Sequence, residues 1–143
     1  MTTTDTEHKC KTYRNPIPTV DLVIGYNGGI VIIERNEEPI GYALPGGHIG
    51  YGESAETAAI REAKEETGLE VKLSGLIGVF SDPERDKRGH RISIAYAGRG
   101  TGVLKAGSDA KTVSVIPFGE IPPLQFDHDK ILEKFRENYF DLK

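Results

Sequence analysis

The sequence predicts an α/β (α+β) fold, a mixed β-sheet sandwiched between α-helices, on three observations. Two β-branched runs, VDLVIGY and IVIIERN, flank the step Asn27-Gly28-Gly29. A glycine-rich stretch then leads into a helical pattern that stops at Gly68. Further strand-like runs precede a last amphipathic helix, so the order is strands, helix, strands, helix, a pattern that packs as layers around one core.

Each element has its own local reason. The Asn-Gly step tolerates positive φ and so predicts a hairpin between the first two strands. The unbroken apolar run from Ile30 to Ile33 fits a strand covered on both faces. Glu37 to Gly41 reads as a loop and Tyr42-Ala43-Leu44 as a short strand ended by Pro45. Gly46, Gly47, Gly50 and Gly52 are expected to form a loop. The helix after them should run from about Ser54, with Glu53 or Ser54 as its cap, to Thr67. Ala59, Ala63 and Ile60 share one side of it, where the small alanines let it lie close to a sheet.

Beyond the helix, Glu70 to Leu73 and Leu76 to Phe80 read as strand with a break at Gly75. Ser81 to His90 is a charged loop, and Arg91 to Ala97 alternates like a strand with one wet face. Gly98 to Asp109 is expected to be a connection, and Thr112 to Phe118 a further strand. From about Asp127 to Phe140 the last helix places Ile131, Leu132, Phe135 and Tyr139 on one stripe.

The chain has 143 residues, enough for one domain with a proper core. Residues 1–14, polar and threonine-rich, read as a flexible tail, and residues 15–143 as the single domain. With 37% hydrophobic and 28% charged residues, net charge -4 and no Lys/Arg-rich run, neither duplex DNA nor an anionic membrane is an expected partner. Cys10 is the only cysteine, so it has no partner for an internal disulfide or a paired-cysteine zinc site. The first residues lack the apolar core of a secretory signal, and no apolar run has membrane-spanning length, so a cytoplasmic location is expected.

The chemistry concentrates between Gly46 and Leu69. Glu62, Glu65 and Glu66 crowd one side of the predicted helix, and like charges at i,i+4 cost about 0.2–0.5 kcal/mol per pair. A divalent cation accounts for the crowding, because hard ions such as magnesium take several carboxylate oxygens. Glu62 and Glu66, one turn apart, are candidate ligands, with Glu65 as a further ligand or a base. Arg61 is placed to pair with Glu53 or Glu65 and fix their orientation.

By spacing the stretch is Gly47, five residues, Glu53, seven residues, then Arg61-Glu62-Ala63-Lys64-Glu65-Glu66-Thr67-Gly68-Leu69. This resembles the signature of the Nudix hydrolases, with alanine at position 63 where the pattern has a bulkier aliphatic residue. The resemblance implies a sheet between helices and hydrolysis of a nucleoside diphosphate linked to another group X, with Mg2+, or Mn2+ as a substitute. It further implies that the carbonyl of Gly46 ligates metal beside Glu62, Glu65 and Glu66, and that Glu53 orients water or a ligand. The family places its general base variously on the box helix or on a later loop, which makes Asp109, and less directly Glu120, candidates.

The loop Ser81 to His90 and the later LQFDHDKIL resemble the small ADP-ribose pyrophosphatases of prokaryotes, in which a proline follows the box, here Pro83. The substrate so implied is ADP-ribose, hydrolysed to AMP and ribose 5-phosphate, and a homodimer is implied in the same way. Arg85, Arg88 and His90 offer cationic donors for phosphate or ribose, and Asp82 or Asp86 acceptors for ribose hydroxyls, although the same residues also suit a salt-bridged surface loop. Tyr42, Tyr13 and Arg14 are candidates for stacking on adenine. His48 is expected at the substrate edge or in packing, and His128 at the start of the last helix. Two alternatives stay open: a hydrolase of nucleoside triphosphates or dinucleoside polyphosphates, and a non-catalytic module that binds nucleotide sugars.

Overall fold

The predicted hairpin is formed by β1 (Ile17–Tyr26) and β2 (Gly29–Arg35) in the computed structural model, which describes residues 13–107 and 110–139. Most of the expected tail, Cys10 within it, Asp109 and Phe140 lie outside the described residues. Asn27 and Gly28 take φ of 46° and 82°, the left-handed values that match a two-residue turn to the twist of its strands.

The chain continues through β3 (Tyr42–Ala43), β4 (Gly46–His48), α1 (Ala55–Thr67), β5 (Glu70–Phe80), β6 (Arg91–Thr101) and β7 (Ala110–Ile116). A 3-10 turn (Phe118–Glu120) and α2 (His128–Asn138) complete it. The strands make one sheet in the order β3-β2-β1-β6-β5, with β4 pairing β1 and β7 pairing β2. Among the described strands β1 and β6 run parallel and the other pairs antiparallel, so the sheet is mixed as expected.

β1 shows why both faces are apolar. Val20, Leu22 and Ile24 point to one face and pack with Ala58, Ala59 and Ala63 of α1. Val23 points to the other, where Ile131, Leu132 and Phe135 of α2 close a second core with Ile30, Ile32 and Leu44. The strand therefore reads as a continuous buried run. Phe135 is 1% exposed, and truncation of such a side chain costs about 3–5 kcal/mol.

α1 begins and ends for the reasons its sequence gives. The Ser54 side chain accepts from the Thr57 N–H at 3.1 Å, and Gly68 at φ 79° returns its N–H to the carbonyl of Lys64. Ile60, expected on the packed side, is instead 40% exposed, and Ala58 and Thr67 join Ala59 and Ala63 in the interface.

Four other expectations are corrected. Gly46–His48 is a strand rather than loop, pairing antiparallel with Thr19 to Asp21. β5 runs through Gly75 without a break, absorbing it as register shifts against β6. β6 has no wet face along Ala95, Tyr96 and Ala97, because it lies between β1 and β5 with both faces covered. It also extends through Gly98 and Gly100, glycines read from sequence as a connection. A Cβ on Gly98 would meet Val71 Cγ1 at 2.7 Å, and one on Gly100 would meet Leu69 Cδ1 at the same distance, so close packing requires both.

Candidate active site

The short strand β4 and the helix α1 meet at the glutamates. β4 is held in the sheet by β1, so its backbone is a fixed surface against which α1 lays its acidic side. The Gly46 N–H donates to Glu66 Oε1 at 2.8 Å. At Gly47 a Cβ would lie 2.3 Å from the Glu62 carboxylate carbon, so the absence of a side chain is what gives that carboxylate its seat.

Arg61 organises the rest. Its Nε and Nη2 donate to the two oxygens of Glu53 at 2.6 and 2.9 Å, a bidentate fork. Its Nη1 donates to Glu62 Oε2 at 3.0 Å and to Glu65 Oε1 at 3.2 Å, and Nη2 also reaches the carbonyl of His48 at 3.0 Å. The sequence paired Arg61 with Glu53 or Glu65; the structure joins it to both and to Glu62. Glu53 additionally accepts from the Gly50 N–H at 2.8 Å. The Arg61 hydrogen bonds, then the Gly50 N–H, pull the Glu53 carboxyl from 4.5 down to about 2. Hydrogen bonding to Glu53 raises Arg61 in turn.

Glu62, Glu66, Gly46 and Gly47 line a cleft of about 300 Å³. Among the described residues no three His, Cys, Asp or Glu side chains already converge as a ligand set. Glu62, Glu66 and the β4 backbone nevertheless bring oxygen donors to the cleft, chemistry that fits a hard divalent cation, while Glu65 lies outside the lining and is tied to Glu62 through Arg61. The glycine that seats Glu62 fits it too.

The cleft also has a cationic side. Arg85 forms a fork on Asp127, with Nε to Oδ2 at 2.9 Å and Nη2 to Oδ1 at 2.6 Å, and lies 3.7 Å from Asp21. Its side chain is only 4% exposed, and a buried guanidinium is tolerable because carboxylates answer it. Asp21 takes a hydrogen bond from the Ser93 hydroxyl and stands 3.4 Å from His128 Nε2. His128 Nδ1 accepts the Leu44 N–H at 3.0 Å, so this buried residue anchors the start of α2 to the segment after β3. Arg88 forks onto Asp86 at 3.0 and 2.8 Å. Burial alone would raise the Asp86 carboxyl, but hydrogen bonds from the Arg88 side chain and backbone hold it below the ordinary carboxylate range.

Of the expected substrate contacts, Arg85, Asp86 and Arg88 line the cleft and Asp82, Pro83, His90 and Tyr42 do not. Asp82 Oδ1 accepts the Glu84 N–H at 2.8 Å in an exposed turn that includes Pro83. His90 Nε2 lies 2.9 Å from the carbonyl of Ser81. Tyr42, 39% exposed, uses its carbonyl to hold Gln125. His48 lines the cleft; Tyr13 is exposed and outside it. Asp109 lies outside the described residues, and Glu120 is exposed on the 3-10 turn.

Sequence reasoning missed Asp21, Arg35, Arg91 and Phe126, all of which line the cleft. An acid inside the β-branched VDLVIGY run was the available signal for Asp21, since buried charge in a central strand demands partners.

Comparison with known proteins agrees with this geometry. The family model described as the NUDIX domain matches residues 16–135. An ADP-ribose pyrophosphatase of Methanocaldococcus jannaschii is 43% identical over 130 residues, covering 89% of this chain and 77% of that protein. A MutT/nudix family protein from Enterococcus faecalis superposes with a TM-score of 0.80 at 27% identity, over 99% of this chain and 70% of its own. A bifunctional NMN adenylyltransferase/ADP ribose pyrophosphatase from Francisella tularensis, complexed with AMP and a manganese ion, gives 0.80 at 26% identity, over 93% of this chain and 44% of that one.

Proposed function

Because the chain belongs to the NUDIX family, we propose that it is a metal-dependent pyrophosphohydrolase that converts ADP-ribose and water to AMP and ribose 5-phosphate. The observation that carries the substrate is the 43% identity, across 89% of the chain, to an ADP-ribose pyrophosphatase.

In this reading Glu62 and Glu66, with Glu65 and the Gly46 carbonyl, hold the divalent ion. Magnesium is the expected cofactor, with manganese as its substitute. When bound, the ion neutralises diphosphate charge and lowers the pKa of water. The chain's own residues do the rest. Arg61 keeps Glu53, Glu62 and Glu65 in fixed orientation through the bonds described above. Glu53 orients and does not accept the proton, because a carboxyl held near 2 is a weak base. The base is one of Glu62, Glu65 and Glu66, or Asp109. Water's oxygen forms a new bond to phosphorus, one bridging P–O bond breaks, and the released proton passes to that carboxylate.

Arg85 and Arg88 stand on the substrate side in this reading, supported by their place in the cleft. A cytoplasmic homodimer belongs to the same proposal, tested by cell fractionation and by sedimentation. The half-exposed Leu76 and Val79 on the edge strand β5 support self-association. Among the described residues no helix is long and apolar enough to cross a membrane. The function is tested by incubating the protein with ADP-ribose and magnesium and separating the products. AMP and ribose 5-phosphate in equal amounts, abolished by EDTA, support it; intact ADP-ribose refutes it.

A further inference from the structure

Two arginines in the cleft share one aromatic ring. The guanidinium carbons of Arg35 and Arg88 each lie 5.0 Å from the centroid of Phe126. Phe126 has φ of 59°, a left-handed backbone that a bulky aromatic residue rarely adopts, directly before α2. The local strain therefore coincides with the ring that holds two like charges together.

The two arginines are not equivalent. Arg88 is answered by Asp86. Arg35 donates from Nε to the carbonyl of Pro39 at 2.8 Å and from Nη2 to that of Glu38 at 3.3 Å. Its side-chain hydrogen bonds run to backbone carbonyls, whereas those of Arg88 run to a carboxylate. Burial, and then the neighbouring Arg88, lower its pKa, while the charges of Glu37, Glu66 and Asp86 act in the opposite sense. Arg91, on the same cleft, has a buried Nε without a hydrogen-bond partner among the described residues, 3.9 Å from Asp86 Oδ2. Arg35 and Arg91 thus bring further guanidinium groups into the cleft beside Glu66 and Glu62.

We propose that Arg35 is the phosphate-recognising residue on this side of the cleft, with Phe126 as its positioning residue. The inference rests on reading the cleft as the diphosphate-hydrolysing site, and it adds the residue that grips a phosphate oxygen without help from metal. A guanidinium pinned by two carbonyls and a ring presents its remaining edge in a fixed direction, as recognition of a tetrahedral anion requires. The phosphate monoesters released by hydrolysis carry the same group, so they serve as probes.

The test is calorimetric titration of the protein in EDTA with AMP and with ribose 5-phosphate, with adenosine and ribose as uncharged controls. Wild type is expected to bind at least one monoester and neither control. Arg35→Ala should weaken that binding about tenfold or more, and Arg35→Lys partially, since it keeps charge without the fork. Phe126→Leu should weaken it several-fold with Arg35 still present, while Phe126→Tyr restores it at an unchanged Tm. In metal-loaded turnover Arg35→Ala should raise KM more than it lowers kcat. No monoester binding by wild type, or equal binding and equal KM in Arg35→Ala, overturns the assignment. Failure to hydrolyse ADP-ribose, with Arg35-dependent phosphate binding intact, would instead strike the substrate reading alone.

Discussion

Arg61 grips both oxygens of Glu53, at 2.6 and 2.9 Å, across eight residues of sequence. The same guanidinium reaches Glu62 and Glu65, so one side chain sets the orientation of three acids. Lysine has the charge without the fork. Arg61→Lys should lower kcat roughly 10- to 100-fold, the usual scale for a residue that orients metal ligands, with Tm moving by only a few degrees. Steady-state kinetics beside thermal melts check this, and unchanged kcat would remove Arg61 from the site.

The same fork has a pH signature. Glu53 is lowered from 4.5 to about 2 by the Arg61 hydrogen bonds and the Gly50 N–H. A depressed carboxyl stabilises the fold above its unfolded value and loses that contribution as pH falls toward its folded one, here between 4.5 and about 2. NMR titration of the Glu53 carboxyl carbon should show it ionised at about pH 3.5 in the wild type. In Arg61→Lys the midpoint should climb back toward 4.5.

Gly47 tests the metal assignment from the backbone side. A methyl group there would lie 2.3 Å from the Glu62 carboxylate carbon. The end of a glutamate can swing aside, so Gly47→Ala should keep the fold and displace the carboxylate. Metal affinity measured by calorimetry should fall about 10-fold or more. Glu62→Gln and Glu66→Gln should each cut the metal-dependent rate by orders of magnitude with near-native circular dichroism. Rates within a few-fold of wild type would sink the metal-site assignment.

His128 is a stability residue beside the chemistry. It is 3% exposed and its Nδ1 is the acceptor for the Leu44 N–H. His128→Leu leaves that buried donor unpaired and should cost about 1–3 kcal/mol, read as a lower urea midpoint at constant m-value.

What the sequence disclosed was what local spacing controls. The Asn27-Gly28 turn, the Ser54 cap, the Gly68 stop and the gathering of Glu62, Glu65 and Glu66 all depend on residues within one or two turns of each other. Gly98 and Gly100 were misread because their reason lies in Val71 and Leu69 on the next strand, which no local pattern reveals. Arg35 and Arg91, which join Arg85 and Arg88 on the cationic side of the cleft, were hidden for the same cause. Arg35 and Phe126 are far apart in the chain, and only the sheet and the start of α2 bring them together. Loop position suggested His90 and Asp82 as substrate contacts, yet the turn spends both on its own backbone.

The central claim, a glutamate-held metal serving hydrolysis of ADP-ribose, is tested most directly by one substrate panel. kcat/KM should be measured with magnesium for ADP-ribose, NADH, a diadenosine polyphosphate, a nucleotide sugar and 8-oxo-dGTP, with Glu62→Gln in parallel. The account predicts that ADP-ribose leads and that Glu62→Gln abolishes its turnover. A lead for 8-oxo-dGTP or the dinucleoside polyphosphate, or turnover of ADP-ribose that survives in Glu62→Gln, would contradict it.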